Sequence, residues 1–169
     1  LLMQDKIVGW WQGPSEYGPR ALGSRSILCW PRSPEMKDAL NLRVKHREAF
    51  RPFAPICREE NAQEIFGVDF PVPHMLFNTT VKPEFREKLP AVTHVDGSGR
   101  LQTVSRAHTP RLYDLLGVIR ERDGLGVLLN TSFNDAGEPI VETAQHAIDC
   151  MRRTGLDALV VGSALYIND

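Results

Sequence analysis

Lys45, Arg47 and Arg51 crowd three cations into one short stretch, residues 41–55, and that spacing can hold an anion. In an extended segment alternate side chains share a face, so the three would point together, with small Ala49 leaving room between them. Cations on one face repel one another unless an anion sits among them. Flexible surface lysines and arginines spread apart, but here Phe50, Pro52, Phe53 and Pro55 are expected to anchor the backbone. The expectation is a fixed pocket for a phosphate or carboxylate. A solvated basic segment is the competing reading.

A second polar cluster lies late in the chain. Asn130-Thr131-Ser132-Phe133-Asn134 follows the wholly apolar Val127-Leu128-Leu129. Polar side chains at the carboxyl end of an apolar strand are typical of α/β binding sites. Near the start, residues 16–26 combine glycines and prolines in a tight loop that would hold Arg20 outward; a plain turn between strands competes with that reading. Residues 91–104 read as a hairpin around Asp96-Gly97-Ser98-Gly99, with Arg100, Gln102 and Val104 alternating after the turn. His94 and Asp96 share a parity there, but a structural hydrogen bond is the better reading than ligation or catalysis. A metal site needs more ligands than this segment supplies.

These segments need a scaffold. Strands are expected over 6–11, 27–30, 51–57, 75–81, 127–129, 157–161 and 164–167. Helices are expected over 34–44, 61–66, 110–122 and 143–153, from apolar residues at helical spacing. Pro34, Thr143, Gly124 and Gly126 punctuate them. Residues 83–89 read as a short polar helix or turn. Alternating strands and helices indicate an α/β domain with a mixed sheet.

The bulk properties limit the partners. The chain has 169 residues, enough for a real core, and a net charge of −1, which gives no global pull toward nucleic acid or an anionic membrane. Residues 19–58 nevertheless hold nine Lys/Arg against three acids, a local +6 that suits a small anion. Cys29, Cys57 and Cys150 form neither a disulfide framework nor a zinc pattern, and a reducing cytoplasm is expected. No signal peptide or membrane-length apolar run is visible. The opening Leu-Leu-Met, running straight into a strand, reads as an excerpt of a longer protein.

Five motifs, in order, resemble one family. They are residues 18–26, residues 44–55, Thr93-His94-Val95-Asp96-Gly97, Gln102-Thr103-Val104 and Leu129 to Asn134. Together they closely resemble the C-terminal, YrdC-like domain of the NodU/CmcH-type carbamoyltransferases of nodulation and antibiotic biosynthesis. Lys45-x-Arg47 with Ser132-x-Asn134 is similar to the Lys-x-Arg and Ser-x-Asn signature of YrdC-like proteins that form carbamoyl adenylate.

The resemblance implies a YrdC-like twisted mixed sheet over residues 13–169, with 1–12 as the junction to a Kae1-like N-terminal domain that this sequence lacks. It implies that carbamoyl phosphate and ATP, with Mg2+, become carbamoyl adenylate here. An iron-type metal would belong only to the linked domain, which passes the carbamoyl group to an acceptor hydroxyl; no metal is expected in this chain. Lys45, Arg47, Ser132 and Asn134 are then the expected catalytic residues. Arg20, Arg51, Arg100, Asn130 and Thr131 are expected to bind substrate. Arginine forks and a compact lysine charge suit phosphate, and the Ser and Asn side chains suit the carbamoyl amide. The isolated domain is expected to perform only this half-reaction. A non-catalytic nucleotide- or RNA-binding module is the alternative, against which stand the 8% aromatic content and the charge of −1. A purely structural buttress would leave the cations unexplained.

Overall fold

Short apolar strands and amphipathic helices alternate along the chain as the periodicity anticipates. The computed structural model describes residues 1–168; Asp169, the last residue of the expected 13–169 domain, lies outside them. In order, the elements are β1 (Val8–Trp11), β2 (Arg25–Cys29), α1 (Glu35–Leu40) with a π-helical turn at Asn41–Lys45, β3 (Ala54–Arg58), α2 (Glu59–Phe66), β4 (Thr79–Thr80) and α3 (Pro83–Arg86). Then follow β5 (Ser98–Gly99), β6 (Gln102–Val104), α4 (Pro110–Asp123), β7 (Val127–Ser132), α5 (Ala144–Thr154), β8 (Ala158–Val161) and β9 (Ala164–Ile167). The expected fold class, a mixed parallel and antiparallel sheet with flanking helices, is present.

The chain divides into two compact units. The first takes residues 1–30, 35–51 and those from 130 onward. Its strands lie in the order β2-β1-β8-β9. β1 runs antiparallel to β2, with Val8 opposite Leu28, and parallel to β8, with Val8 opposite Ala158; β9 returns antiparallel to β8. Ile7, Val8, Ile27, Leu28 and Leu159 are buried in its core. Helix α5 packs on β1 and β8 through buried Ala147, Cys150 and Met151. Thr143 Oγ1 accepts the His146 N–H at its start, and left-handed Gly155 ends it.

The loop between β1 and β2 is built around one carboxylate. Glu16 Oε1 accepts the backbone N–H groups of Leu22 and Ser24, both at 2.7 Å, and of Arg25 at 3.3 Å. Arg25 is only 2% exposed. Its guanidinium donates to the carbonyls of Gln12, Gly13, Ser24 and Glu142 and lies 4.0 Å over the Trp11 ring. The rigidity expected of this loop therefore comes from Glu16 and Arg25 as much as from its glycines and prolines.

The second unit takes residues 31–34 and 52–129. β3 pairs parallel with β6, and α2 and α4 pack on β3. The 91–104 segment corrects the expected hairpin. Gly97, at φ 80°, turns the chain, and Ser98–Gly99 pairs antiparallel with Thr79–Thr80. Leu101 N–H then bonds Gly99 O, a tight bend that redirects residues 102–104 to β3. Asp96 accepts the Ser98 N–H, and the His94 ring hydrogen-bonds with Ser98 Oγ. The strand expected over 75–81 shrinks to Thr79–Thr80; Met75 adopts a left-handed backbone at φ 56°, outside the extended region, and the chain bends again at Phe77. Strand β7 gives residues 127–129 to this unit and 130–132 to the first. No helix among the described residues is long and apolar enough to cross a membrane.

Candidate functional site: a cationic cleft

The helix expected over 34–44 is present, but the extended segment expected to carry Lys45, Arg47 and Arg51 is not found at its start. Helix α1 continues into the π-helical turn, where Asn41 O accepts the N–H groups of His46 and Arg47. A π turn admits one more residue than an α turn, and such turns frequently mark functional sites. His46 then takes a left-handed backbone at φ 42°, a conformation that costs a residue with a Cβ about 1 kcal/mol. Strict alternation along a strand therefore does not bring the cations together; the π turn, the His46 reversal and the loop after it do. Lys45, Arg47 and Arg51 still line one cleft, with Ser132 and Asn134 on its other wall.

That cleft, about 820 Å3, lies wholly within the first unit. At its base Lys45 is 7% exposed. Its Nζ donates to Ser132 O at 2.6 Å, Asn134 Oδ1 at 2.7 Å and Asn134 O at 3.1 Å, with Ser132 Oγ at 3.3 Å. Three ammonium protons thus meet four acceptors, and Ser132 Oγ, weakest of the four, sends its own proton to Asn134 Oδ1 at 2.7 Å. Asn134 Nδ2 donates to Glu138 O, which fixes the orientation of its amide. Burial, then the neighbouring Arg47 charge, lowers the Lys45 ammonium to about 8, still protonated at neutral pH.

The remaining charges moderate the cleft. Arg47 Nε donates to Asn41 Oδ1 at 2.7 Å. Arg51 Nε pairs with Glu48 at 2.8 Å, and His46 Nε2 stands 3.7 Å from Asp135 Oδ1. The cleft is therefore a mixed-charge site with a cationic majority: three Lys/Arg face two carboxylates.

The other expected site residues are placed differently. Asn130 is buried and donates through Nδ2 to Ala21 O at 3.0 Å, bracing the β1–β2 loop. Thr131 is half-buried in β7 and Arg20 is exposed in the loop, neither on the cleft wall. Arg100 belongs to the second unit. Sequence reasoning missed Asn41, His46, Glu48 and Asp135. His46 and Asp135 had a signal, since one is the middle residue of Lys-x-Arg and the other follows Ser-x-Asn; Asn41 had none.

The cleft offers charge and hydrogen bonds rather than a nucleophile. All three cysteines are buried, and burial pushes each thiol up, away from thiolate. Among the described residues no group of three or more His, Cys, Asp or Glu side chains is arranged to hold a metal.

Comparison with known proteins identifies the family of the chain. A family model described as Carbamoyltransferase C-terminus matches residues 1–168. The nodulation protein NolO of Bradyrhizobium diazoefficiens is 49% identical over 162 residues, 94% of this chain and 30% of that protein. A 3'-hydroxymethylcephem-O-carbamoyltransferase of Streptomyces clavuligerus is 42% identical over 98% of this chain and 31% of its own length. The chain thus spans about 30% of the curated relatives it matches. Among solved structures, full-length HypF in a phosphate- and nucleotide-bound form shares the fold, with a TM-score of 0.64 and 18% identity over 95% of this chain and 23% of that one.

Proposed function

We propose that this chain, which belongs to the carbamoyltransferase C-terminal family, binds carbamoyl phosphate and ATP in the Lys45 cleft and forms carbamoyl adenylate, from which the carbamoyl group passes to an acceptor hydroxyl elsewhere in the intact protein. The observation that carries this reading is the buried Lys45 ammonium, locked by Ser132 and Asn134 at the base of a cleft that also presents Arg47 and Arg51. The name of the Streptomyces relative, an O-carbamoyltransferase, supports transfer to oxygen.

The step balances as follows. Carbamoyl phosphate, ATP and water give carbamoyl adenylate, phosphate and pyrophosphate. Water first releases phosphate and leaves carbamate. A carbamate oxygen then forms a bond to the α-phosphorus of ATP as the bond from that phosphorus to the pyrophosphate oxygen breaks. Negative charge gathers on the departing pyrophosphate, so fixed cations and positioning supply most of what the step needs. In this reading Lys45 and Arg47 hold phosphoryl oxygens, Arg51 adds charge once an anion competes with Glu48, and Ser132 and Asn134 aim the ammonium. A phosphoryl oxygen reaching Lys45 exchanges most readily with the long Ser132 Oγ contact. Mg2+ takes one or two carboxylates together with substrate phosphates. Asp135 in the cleft wall is a fitting carboxylate, and the ion held there would offset triphosphate charge.

The test is pyrophosphate release from ATP by this chain with Mg2+ and carbamoyl phosphate, without acceptor. Release that requires carbamoyl phosphate and disappears in Lys45→Ala and Ser132→Ala is expected. Release indifferent to carbamoyl phosphate or to these substitutions would refute the assignment, and carbamoylation of an acceptor by the chain alone would refute the division of labour.

A further inference from the structure

Asn41 makes more contacts to the cleft loop than its place at the start of the π-helical turn requires. It is 1% exposed. Its Oδ1 accepts Arg47 Nε–H at 2.7 Å. Its Nδ2 donates to Arg51 O at 3.1 Å and approaches Ala49 O at 3.4 Å. Its backbone carbonyl accepts the N–H groups of His46 and Arg47. One residue thus holds both the guanidinium of Arg47 and the backbone of the 46–51 loop, which carries Arg47 and Arg51 along the cleft.

We propose that Asn41 is a positioning residue of the cleft: its buried amide fixes the plane and direction of the Arg47 guanidinium, so that this cation meets the phosphoryl groups already oriented. The inference rests on the proposed function of the cleft. An arginine side chain gives up much rotamer freedom when it binds, and a partner that takes up that loss beforehand strengthens binding without touching the ligand. A buried amide suits this task because it supplies an acceptor for Nε and donors for the loop carbonyls together, whereas a carboxylate at the same place would lack the donors and neutralise the cation. The π turn serves the same end. It lets the Asn41 carbonyl take two successive N–H groups at the chain reversal, so the side chain remains available to the loop.

The experiment is a double-mutant cycle on the intact protein, with inorganic pyrophosphate as probe and the dissociation constant as readout. Asn41→Ala is expected to weaken binding roughly 10-fold, and Arg47→Ala roughly 30-fold, the scale of a charge-assisted contact. On the Arg47→Ala background Asn41→Ala should add less than about twofold, because the route of its action is gone. Equal losses in both backgrounds, or no loss in either, would overturn the role of Asn41 while leaving the cleft intact. No loss in Arg47→Ala itself would overturn the cleft reading and this proposal with it. A second measurement on the unsubstituted protein guards against variants that do not fold. The Arg47 Nε–H resonance, assigned through the arginine side-chain spin systems of the unsubstituted protein, should exchange with solvent at least about 10-fold more slowly than those of the exposed arginines. An unprotected Nε–H would contradict the proposal.

Discussion

Lys45 Nζ and Asn134 Oδ1 stand 2.7 Å apart, and this contact ties the end of a π-helical turn to the turn that follows strand β7. Two motifs nearly ninety residues apart in the chain therefore form one polar unit. Each partner depends on the other in an asymmetric way. Asn134 without Lys45 is an amide near an open cleft; Lys45 without the Asn134 side chain is a buried cation that loses one of its two shortest hydrogen bonds and keeps only Ser132 O, Asn134 O and the long Ser132 Oγ contact.

The asymmetry sets opposite outcomes for the two substitutions. Lys45→Met removes a buried charge and keeps the apolar chain, and the acceptors it leaves belong to Ser132 and Asn134 on the cleft wall, where water can take the place of the ammonium. Its unfolding free energy should shift by less than about 1 kcal/mol, while pyrophosphate affinity falls roughly 10- to 100-fold. Asn134→Ala should instead cost about 1.5–3 kcal/mol, since it takes from the buried ammonium one of its two shortest hydrogen bonds. In the double variant most of that cost should vanish. Urea denaturation of the four proteins decides the matter, and a strictly additive result would mean that the contact carries no energy.

The depressed Lys45 ammonium gives two pH effects of opposite sign. Its folded value is about 8, below the ordinary 10.5. Between these values the unfolded chain holds a proton that the folded chain has released. Unfolding then takes up a proton, so this group favours folding as pH rises through that window. Anion binding needs the charged form and weakens over the same window. Sulfate, which does not titrate there, should bind less tightly as pH rises through about 8, and the urea midpoint should rise relative to that of Lys45→Met. An affinity flat from pH 7 to 9.5 would remove Lys45 from the anion site.

Gly9 bears on the site from behind. A Cβ at this position would stand 2.7 Å from Phe133 Cζ and 2.9 Å from Cε1. Phe133 is fully buried and stands between Ser132 and Asn134 in the chain, so a displaced ring would press on the segment that carries them. Gly9→Ala should destabilise by about 1–3 kcal/mol, the usual cost of overpacking, and also weaken pyrophosphate binding. Titration beside thermal unfolding separates the two effects. An unchanged affinity would show that the strand tolerates the shift.

Arg20 in the glycine-rich loop and Arg25, which opens β2 at its end, show what the sequence conceals. Periodicity made β1, β2, β7, β8, β9 and the longer helices legible, because burial on one face leaves a regular apolar spacing. The same logic does not separate an arginine in an irregular loop from one at the strand edge beside it. Arg20, the one expected to reach a ligand, is exposed, while Arg25 is buried among carbonyls. The π turn was hidden for a related reason, since one extra residue in a turn has no residue-type signature. The parallel partner of β6 was hidden because the pairing joins distant segments. Lys45, Ser132 and Asn134 were legible as separate motifs, but the bonds between them, and Asn41 behind Arg47, required coordinates.

These placements separate the two arginines experimentally. Arg25→Lys keeps the charge but lacks the fork that reaches several carbonyls, and should cost about 2–3 kcal/mol in unfolding free energy. Arg20→Ala should change stability by less than about 0.5 kcal/mol. A fall in pyrophosphate affinity in Arg20→Ala would assign it to the phosphate. Equal stability losses in the two variants would contradict the described burial.

The most direct test of the central claim follows pyrophosphate in the chain itself, given ATP, Mg2+ and no acceptor, with and without carbamoyl phosphate. The cleft reading predicts release only when carbamoyl phosphate is present, and none above background in Lys45→Met, a variant that should remain folded. Release at the unsubstituted rate in Lys45→Met would contradict it.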